Sequence, residues 1–148
     1  MAHLATPSPR YRKSYLAAMR EAKQKTAPRA RRFFARAQPA RNFWLVDGGK
    51  YIGLVQIRVE PSSGIDPRLK NHVYYEIRPS MRKKGYGTAA LGLALKKARR
   101  FGLAHIILVC RKSNTGSRKI IERNGGKLLR TVSIRGYPQP FLKYRIDL

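Results

Sequence analysis

The segment Arg82-Lys83-Lys84-Gly85-Tyr86-Gly87-Thr88 joins an apolar run that ends at Ile77 to a helical pattern that begins near Thr88. Cations and glycines at a strand-to-helix turn are suited to holding a diphosphate. Gly85 and Gly87 lack a Cβ, so the backbone there can take unusual dihedrals and press close to a ligand. The first-turn N–H groups of the helix have no intrahelical acceptor, and an anion is their natural partner. The helix dipole adds about half a positive charge at the same point, and Arg82, Lys83 and Lys84 add full ones. An R-x-x-G-x-G segment also occurs as a plain connection with solvated side chains, so its neighbours must decide the reading.

Three side chains are candidates for proton transfer or for holding an amine. On the strand before the loop, His72, Tyr74 and Glu76 fall on one face and Val73, Tyr75 and Ile77 on the other. His72 fits a general base by its ordinary titration range. Glu76 is better suited to anchor an acceptor ammonium than to take its proton. Glu60, after Arg58 at the end of the preceding strand, is a similar candidate. The alternative for each is a solvated or salt-bridged side chain.

The elements that must position these groups follow from periodicity and turn residues. A helix is expected from about Pro9 to Lys25, with Tyr15, Leu16, Met19 and Ala22 spaced as a buried stripe, then a basic linker or short helix around Arg31 to Arg36. Strands follow at Asn42 to Val46 and Tyr51 to Val59, joined by the hairpin turn Asp47-Gly48-Gly49. A loop from Glu60 to Asn71 leads to the strand Val73 to Ile77. The main helix spans Thr88 to Phe101, with Leu91, Leu95 and Ala98 inward and Gly102 as its stop. A strand His105 to Cys110, a helix Thr115 to Asn124 and strands Lys127 to Ile134 and Phe141 to Asp147 complete a mixed central sheet flanked by helices, an α/β (α+β) fold.

In this context the chain resembles the GNAT superfamily of N-acetyltransferases, whose acetyl-CoA pyrophosphate lies on a [QR]-x-x-G-x-[GA] loop between the fourth strand and the next helix. The likeness extends through Ile77-Arg78-Pro79-Ser80, Arg82-x-x-Gly85-Tyr86 and Cys110-x-x-x-Asn114-x-x-Ser117-x-x-x-Ile121-x-x-Asn124-Gly125-Gly126, and through Phe43-Trp44-Leu45-Val46-Asp47 and Tyr51-Ile52-Gly53. Together these resemble one branch of bacterial acetyltransferases, in which the position of His72 is also histidine. The resemblance implies an acetyl-CoA-binding core over residues 42–148, with residues 1–41 a basic helical segment of the same domain.

It further implies that acetyl-CoA is the cosubstrate and that a primary amine attacks the thioester directly. Backbone N–H groups near Ile77 and Arg78 would polarise the acetyl carbonyl, and Arg82 to Thr88 would hold the diphosphate. Asn114 and Ser117 would bond the pantetheine or phosphate arm, or else serve as helix caps. The family's proton-donating tyrosine falls at Ile121, so either Tyr137, Tyr144 or a water replaces it, or the rate is low, or catalysis has been lost. The segment between the first helix and Phe43 is short for the family, which implies an open acceptor site or a loop deletion without consequence. Homodimers are common in the family.

The chain has 148 residues, enough for one domain with a core, and its charge is extreme: 33 Lys and Arg against 7 Asp and Glu, a formal +26. Such a chain repels itself and draws polyanions. Arg29 to Arg36 with Phe33 and Phe34, and Arg10 to Lys13 with Tyr11, combine cations with stacking surfaces, so nonspecific RNA or DNA binding at low salt is expected. The rival reading is therefore a polyanion-binding module on a degenerate fold. A third combines the two: an acetyltransferase whose acceptor is borne by something acidic. The single Cys110 excludes an internal disulfide and a cysteine-rich zinc site, and no metal is expected. No apolar run is long enough for a membrane span and no signal segment follows the first methionine, so a cytoplasmic protein is expected; an Arg-rich transit peptide is the alternative.

Overall fold

The computed structural model describes residues 1–23 and 41–148. The expected short helix at Arg31 to Arg36 and the Phe33/Phe34 cluster lie outside the described residues. Strand β1 (His3–Ala5), not expected from the sequence, precedes a short 3-10 turn (Pro9–Tyr11) and helix α1 (Arg12–Lys23). Strands β2 (Arg41–Asp47) and β3 (Lys50–Ser62) form the expected hairpin, and both glycines of its turn have positive φ, +55° at Gly48 and +74° at Gly49. Those dihedrals match the right-handed twist of the strands they join. Strand β4 (Asn71–Ile77), helix α2 (Tyr86–Arg100), strand β5 (His105–Arg111), helix α3 (Thr115–Arg123) and strands β6 (Lys127–Val132) and β7 (Phe141–Asp147) follow.

The strands form two antiparallel sheets, β1-β2-β3-β4 and β5-β7-β6. They meet where β4 and β5 run side by side without a ladder, so the expected mixed sheet is split at its one parallel seam. Helices α2 and α3 cover one face, burying Gly87, Ala90, Leu91, Ala94 and Ala98 of α2 and Ile121 of α3 against Leu45, Val55, Ile57 and Ile77. The small residues let α2 approach the strands closely. Helix α1 covers the other face of the first sheet, where Tyr11 and Ala18 pack on Trp44, Val46, Tyr51 and Leu54.

One irregularity bears on the site. Leu45 pairs with Gly53 but Val46 pairs with Tyr51, so Ile52 is an extra residue in β3. A bulge of this kind re-aims side chains. Ile52 turns into the main core while Tyr51 turns to the aromatic cluster under α1, in which Tyr15 stacks on Trp44 at 4.8 Å between centroids. No helix among the described residues is long and apolar enough to cross a membrane.

Candidate active site

Antiparallel pairing alternates between bonded and non-bonded residue pairs, and that alternation determines which backbone groups of β4 are free. The Arg78 N–H donates to Ile52 O at 2.9 Å, and Gly53 lies opposite Ile77. The bonded pairs are therefore Ile52/Arg78, Leu54/Glu76 and Gln56/Tyr74, and the N–H groups of Val73, Tyr75 and Ile77 face away from β3, toward β5. The same reasoning holds across the seam. Leu148 N–H donates to Ala104 O at 2.9 Å, which places Ile107, Val109 and Arg111 with their N–H groups turned from β7 toward β4. Two strand edges thus face one another across a cleft of about 530 Å³, lined among others by Tyr75, Glu76, Arg82, Cys110, Asn114 and Ser117.

This geometry separates the two backbone donors expected for an acyl carbonyl. Arg78 N–H is spent on Ile52, whereas Ile77 N–H points away from β3, toward the β5 side. The Arg78 side chain is turned to α1 and β3: it is ion-paired with Glu21 of α1 and donates to Tyr51 O at 3.1 Å and Ser14 Oγ at 3.3 Å. Its guanidinium holds the Glu21 carboxyl down at about 2, with the Ser80 contacts adding to the effect and partial burial opposing it. Ser80 N–H also donates to Glu21, so α1 is clasped to the end of β4.

At the other end of the loop, helix α2 begins at Tyr86, two residues earlier than expected, with Gly85 as N-cap at φ +84° and no side-chain cap. Its first N–H groups are consequently left for a ligand. Lys83 takes φ +59°, a left-handed conformation unusual for a lysine, and Arg82 folds back to donate from Nε to Ile77 O at 3.0 Å. Gly87 has a different purpose from the one expected. It is an ordinary helical residue, and a Cβ there would meet Ile120 Cδ1 of α3 at 2.5 Å. Its lack of a Cβ leaves room for Ile120 of α3. Tyr86 donates its hydroxyl to Asp47 Oδ2 at 2.8 Å, tying the loop to the β2–β3 turn, and Thr88 O accepts from Asn124 Nδ2 at 3.2 Å.

Asn114 caps α3, its Oδ1 accepting from Ser117 N–H at 3.0 Å, and the Ser117 hydroxyl is 2.8 Å from that of Tyr75. Both residues line the cleft, so the cap and the ligand wall are one feature. Ile121 is 1% exposed and also reaches the cleft wall. Of the two tyrosines considered in place of the family's donor, Tyr144 is buried and bonded to Glu122 at 3.1 Å, and Tyr137 meets Phe141 edge-to-face outside the cleft lining. Tyr75, which sequence reasoning did not single out, also lines the cleft, and only the approach of β4 to α3 reveals its contact with Ser117.

The three proton-transfer candidates are dispersed. His72 is buried, and its Nδ1 accepts from Ile107 N–H at 2.8 Å, clasping β4 to β5 at the closed end of the cleft. Accepting that bond requires a neutral ring, and burial, with the nearby His105 adding to it, lowers the His72 pKa. The lone pair a base would use is already occupied. Glu60 is exposed on the overhang of β3, six residues beyond Leu54, the partner of Glu76. At about 3.3 Å per residue that is roughly 20 Å from the Ile77 end of β4. Glu76 alone stays at the site. It lines the cleft and accepts from the Tyr74 hydroxyl at 3.0 Å. Among the described residues Glu21, Asp47, Asp66 and Asp147 are each ion-paired with a cationic group, and Glu76 is not.

The residues present fit an acyl-CoA: a donor edge for an extended pantetheine, an uncapped helix start with cations for its diphosphate, and a free N–H at the acyl end. No group of acidic, cysteine and histidine residues among those described could hold a metal ion.

Comparison with known proteins agrees with this geometry. Residues 8–126 match the family model described as the Acetyltransferase (GNAT) family. No curated protein matches the sequence. Among solved structures, the chain is similar to the ribosomal L7/L12 alpha-N-protein acetyltransferase RimL in complex with coenzyme A, at TM-score 0.74 and 14% identity over 99% of this chain and 94% of that one. It is similar to the microcin C7 self-immunity acetyltransferase MccE in complex with acetyl-CoA and AMP, at TM-score 0.74 and 16% identity over 99% and 92%. It is also similar to the ribosomal-protein-S18-alanine N-acetyltransferase from Escherichia coli, at TM-score 0.68 and 16% identity over 99% and 94%. With an antiparallel sheet split at β4/β5, a glycine-led helix start beside it and a family match across most of its length, this chain belongs to the acetyltransferase (GNAT) family, enzymes that take their acetyl group from acetyl-CoA.

Proposed function

We propose that the protein transfers the acetyl group of acetyl-CoA to a primary amine by direct attack in a ternary complex. The observation that carries this reading is the convergence of the free β4 edge at Ile77 with the uncapped start of α2. Ile77 N–H polarises the acetyl carbonyl as negative charge grows on its oxygen. The N–H groups at the start of α2, with Arg82, Lys83 and Lys84, hold the diphosphate. Asn114 and Ser117 border the pantetheine arm.

Glu76, unpaired by any described cation and adjacent to Ile77, receives the acceptor ammonium. An ion pair there raises the local concentration of the amine and orients it, and its proton passes to water before attack. In this assignment His72 is a strand clasp and Glu60 has no catalytic part. The acceptor is carried by an acidic body: a chain of +26 repels free polycations and steers polyanions. Two of the similar structures are ribosomal-protein acetyltransferases by name, so a ribosomal-protein amino terminus is the first acceptor to test.

The test is calorimetric titration of acetyl-CoA into nuclease-treated protein at low and high salt, with short RNA as comparator. One-to-one binding that survives high salt is expected, and Gly85→Asp should remove it while the protein stays folded, since it places a Cβ and a negative charge beside phosphate at a positive-φ position. RNA binding without acetyl-CoA binding would replace this reading with that of a polyanion binder.

A further inference from the structure

A thioester cannot release CoA cheaply unless its sulfur is protonated or hydrogen-bonded as the C–S bond breaks. The α3 position from which the family supplies that proton is Ile121 here, an apolar side chain at 1% exposure. The cleft nevertheless contains a phenol. Tyr75 projects from β4 on the same face as Ile77, two residues before the acyl-polarising N–H, and spans the cleft to α3, where its hydroxyl meets Ser117 Oγ at 2.8 Å. Ser117 lies one helical turn before Ile121. A tyrosine from the strand therefore reaches the wall where a tyrosine from the helix is missing.

We propose that Tyr75, paired with Ser117, is the group that protonates the departing CoA sulfur. This rests on the acetyl-CoA reading above. When the C–S bond breaks its electron pair stays on sulfur. The Tyr75 O–H gives its proton to that sulfur, and the Ser117 O–H turns to donate a hydrogen bond to the resulting phenolate. A proton from water, equivalent to one the amine has lost, restores the phenol. Acetyl-CoA and R–NH3+ become the acetamide, CoA–SH and one proton in solution.

The other groups facing the cleft do not substitute for it. Glu76 and Tyr74 are bonded to each other on the opposite face of β4. Arg82 is turned to Ile77 O. Cys110 of β5 receives no hydrogen bond to its sulfur among the described residues, and burial, with the Glu122 charge adding to it and the Arg118 charge opposing it, pushes its thiol up to about 11. Tyr75 is itself raised by burial, with Cys110 adding to it and the Ser117 bond opposing, so it is fully protonated wherever the enzyme works.

The test needs no acceptor. CoA is bound to the wild type and to Tyr75→Phe, both carrying Cys110→Ala so that the CoA sulfur is the thiol that titrates, and the ultraviolet absorbance of the bound thiolate is followed against pH as the difference from the same protein without CoA. A phenol donating to sulfur stabilises the thiolate, so it should form about tenfold more readily with Tyr75 present than in Tyr75→Phe. Desulfo-CoA, which lacks the sulfur, should bind both proteins within a few-fold. Superimposed thiolate curves with CoA bound would overturn the donor alone, as would a loss of desulfo-CoA binding in Tyr75→Phe, which would give Tyr75 a structural part instead. Failure of the wild type to bind CoA would overturn the cofactor reading and the donor with it.

Discussion

Gly53→Ala should disable the acyl end of the cleft without touching the diphosphate end. Gly53 sits opposite Ile77, beside the Ile52 bulge, and a Cβ there would overlap the Glu76 carbonyl oxygen and lie 3.1 Å from Ile77 Cα. Neither neighbour is the tip of a flexible side chain; both belong to the β4 backbone. Relief to ordinary van der Waals contact requires the end of β4 to move about 1 Å, which as overpacking costs about 1–3 kcal/mol. The same displacement shifts Ile77 N–H relative to the acyl carbonyl, and a misplacement of that size costs about 100-fold in turnover. The start of α2 is untouched, so affinity for CoA should stay within a few-fold. The assay compares calorimetric affinities for CoA and acetyl-CoA with the initial rate of thiol release, using the best amine from an acceptor screen. A folded Gly53→Ala protein that turns over within twofold of wild type would refute the assignment of Ile77 N–H as the acyl donor site.

Three other outcomes follow from the clasps around the site. Glu21→Gln removes the carboxylate that Arg78 holds at about 2. Because the folded value is depressed, the stabilisation is present above the unfolded value near 4.5 and is lost as pH falls toward 2. With the Glu21 side chain 29% exposed, screening leaves ~1–2 kcal/mol, and urea melts from pH 6 to 2.5 should show that component in wild type only. His72→Leu orphans the Ile107 N–H and should cost about 1–3 kcal/mol, whereas His72→Gln keeps an acceptor and should cost less. The depressed histidine makes wild-type stability fall below about pH 6.5, and His72→Gln should lose that dependence in thermal melts. Gly87→Ala should change stability by no more than about 1 kcal/mol, because alanine favours the helix and the methyl tip of Ile120 can turn aside, and should leave CoA affinity unchanged, in contrast with Gly85→Asp; loss of affinity would mean that Gly87 faces the ligand.

The local elements were legible because each carries its own signal. Asp47-Gly48-Gly49 supplies a hairpin turn, Asn124-Gly125-Gly126 closes α3 with bonds from Gly126 N–H to Ile121 O and Gly125 N–H to Glu122 O, and the apolar spacing of α2 gives its inward face. The turn into α2 was legible for the same reason: a positive-φ glycine, cations and a helix start are contiguous in sequence. Strand β1 was not, because three residues carry no period and are held only by pairing with β2.

The sequence by itself determined the order of the elements from α1 onward, the family and the glycine-led turn into α2, since short-range geometry and charge suffice for these. Only the tertiary structure decided where His72, Glu60, Glu76 and Tyr75 stand and what they touch, because that depends on which strand edge is paired and which is open. An antiparallel ladder consumes alternate backbone groups, so Arg78 N–H is spent while Ile77 N–H, its neighbour, is free. The same seam closes His72 onto Ile107 and brings Tyr75 against Ser117, contacts between residues up to 42 positions apart in the chain, while Glu60 stands far along β3 and Glu76 meets no cation among the described residues.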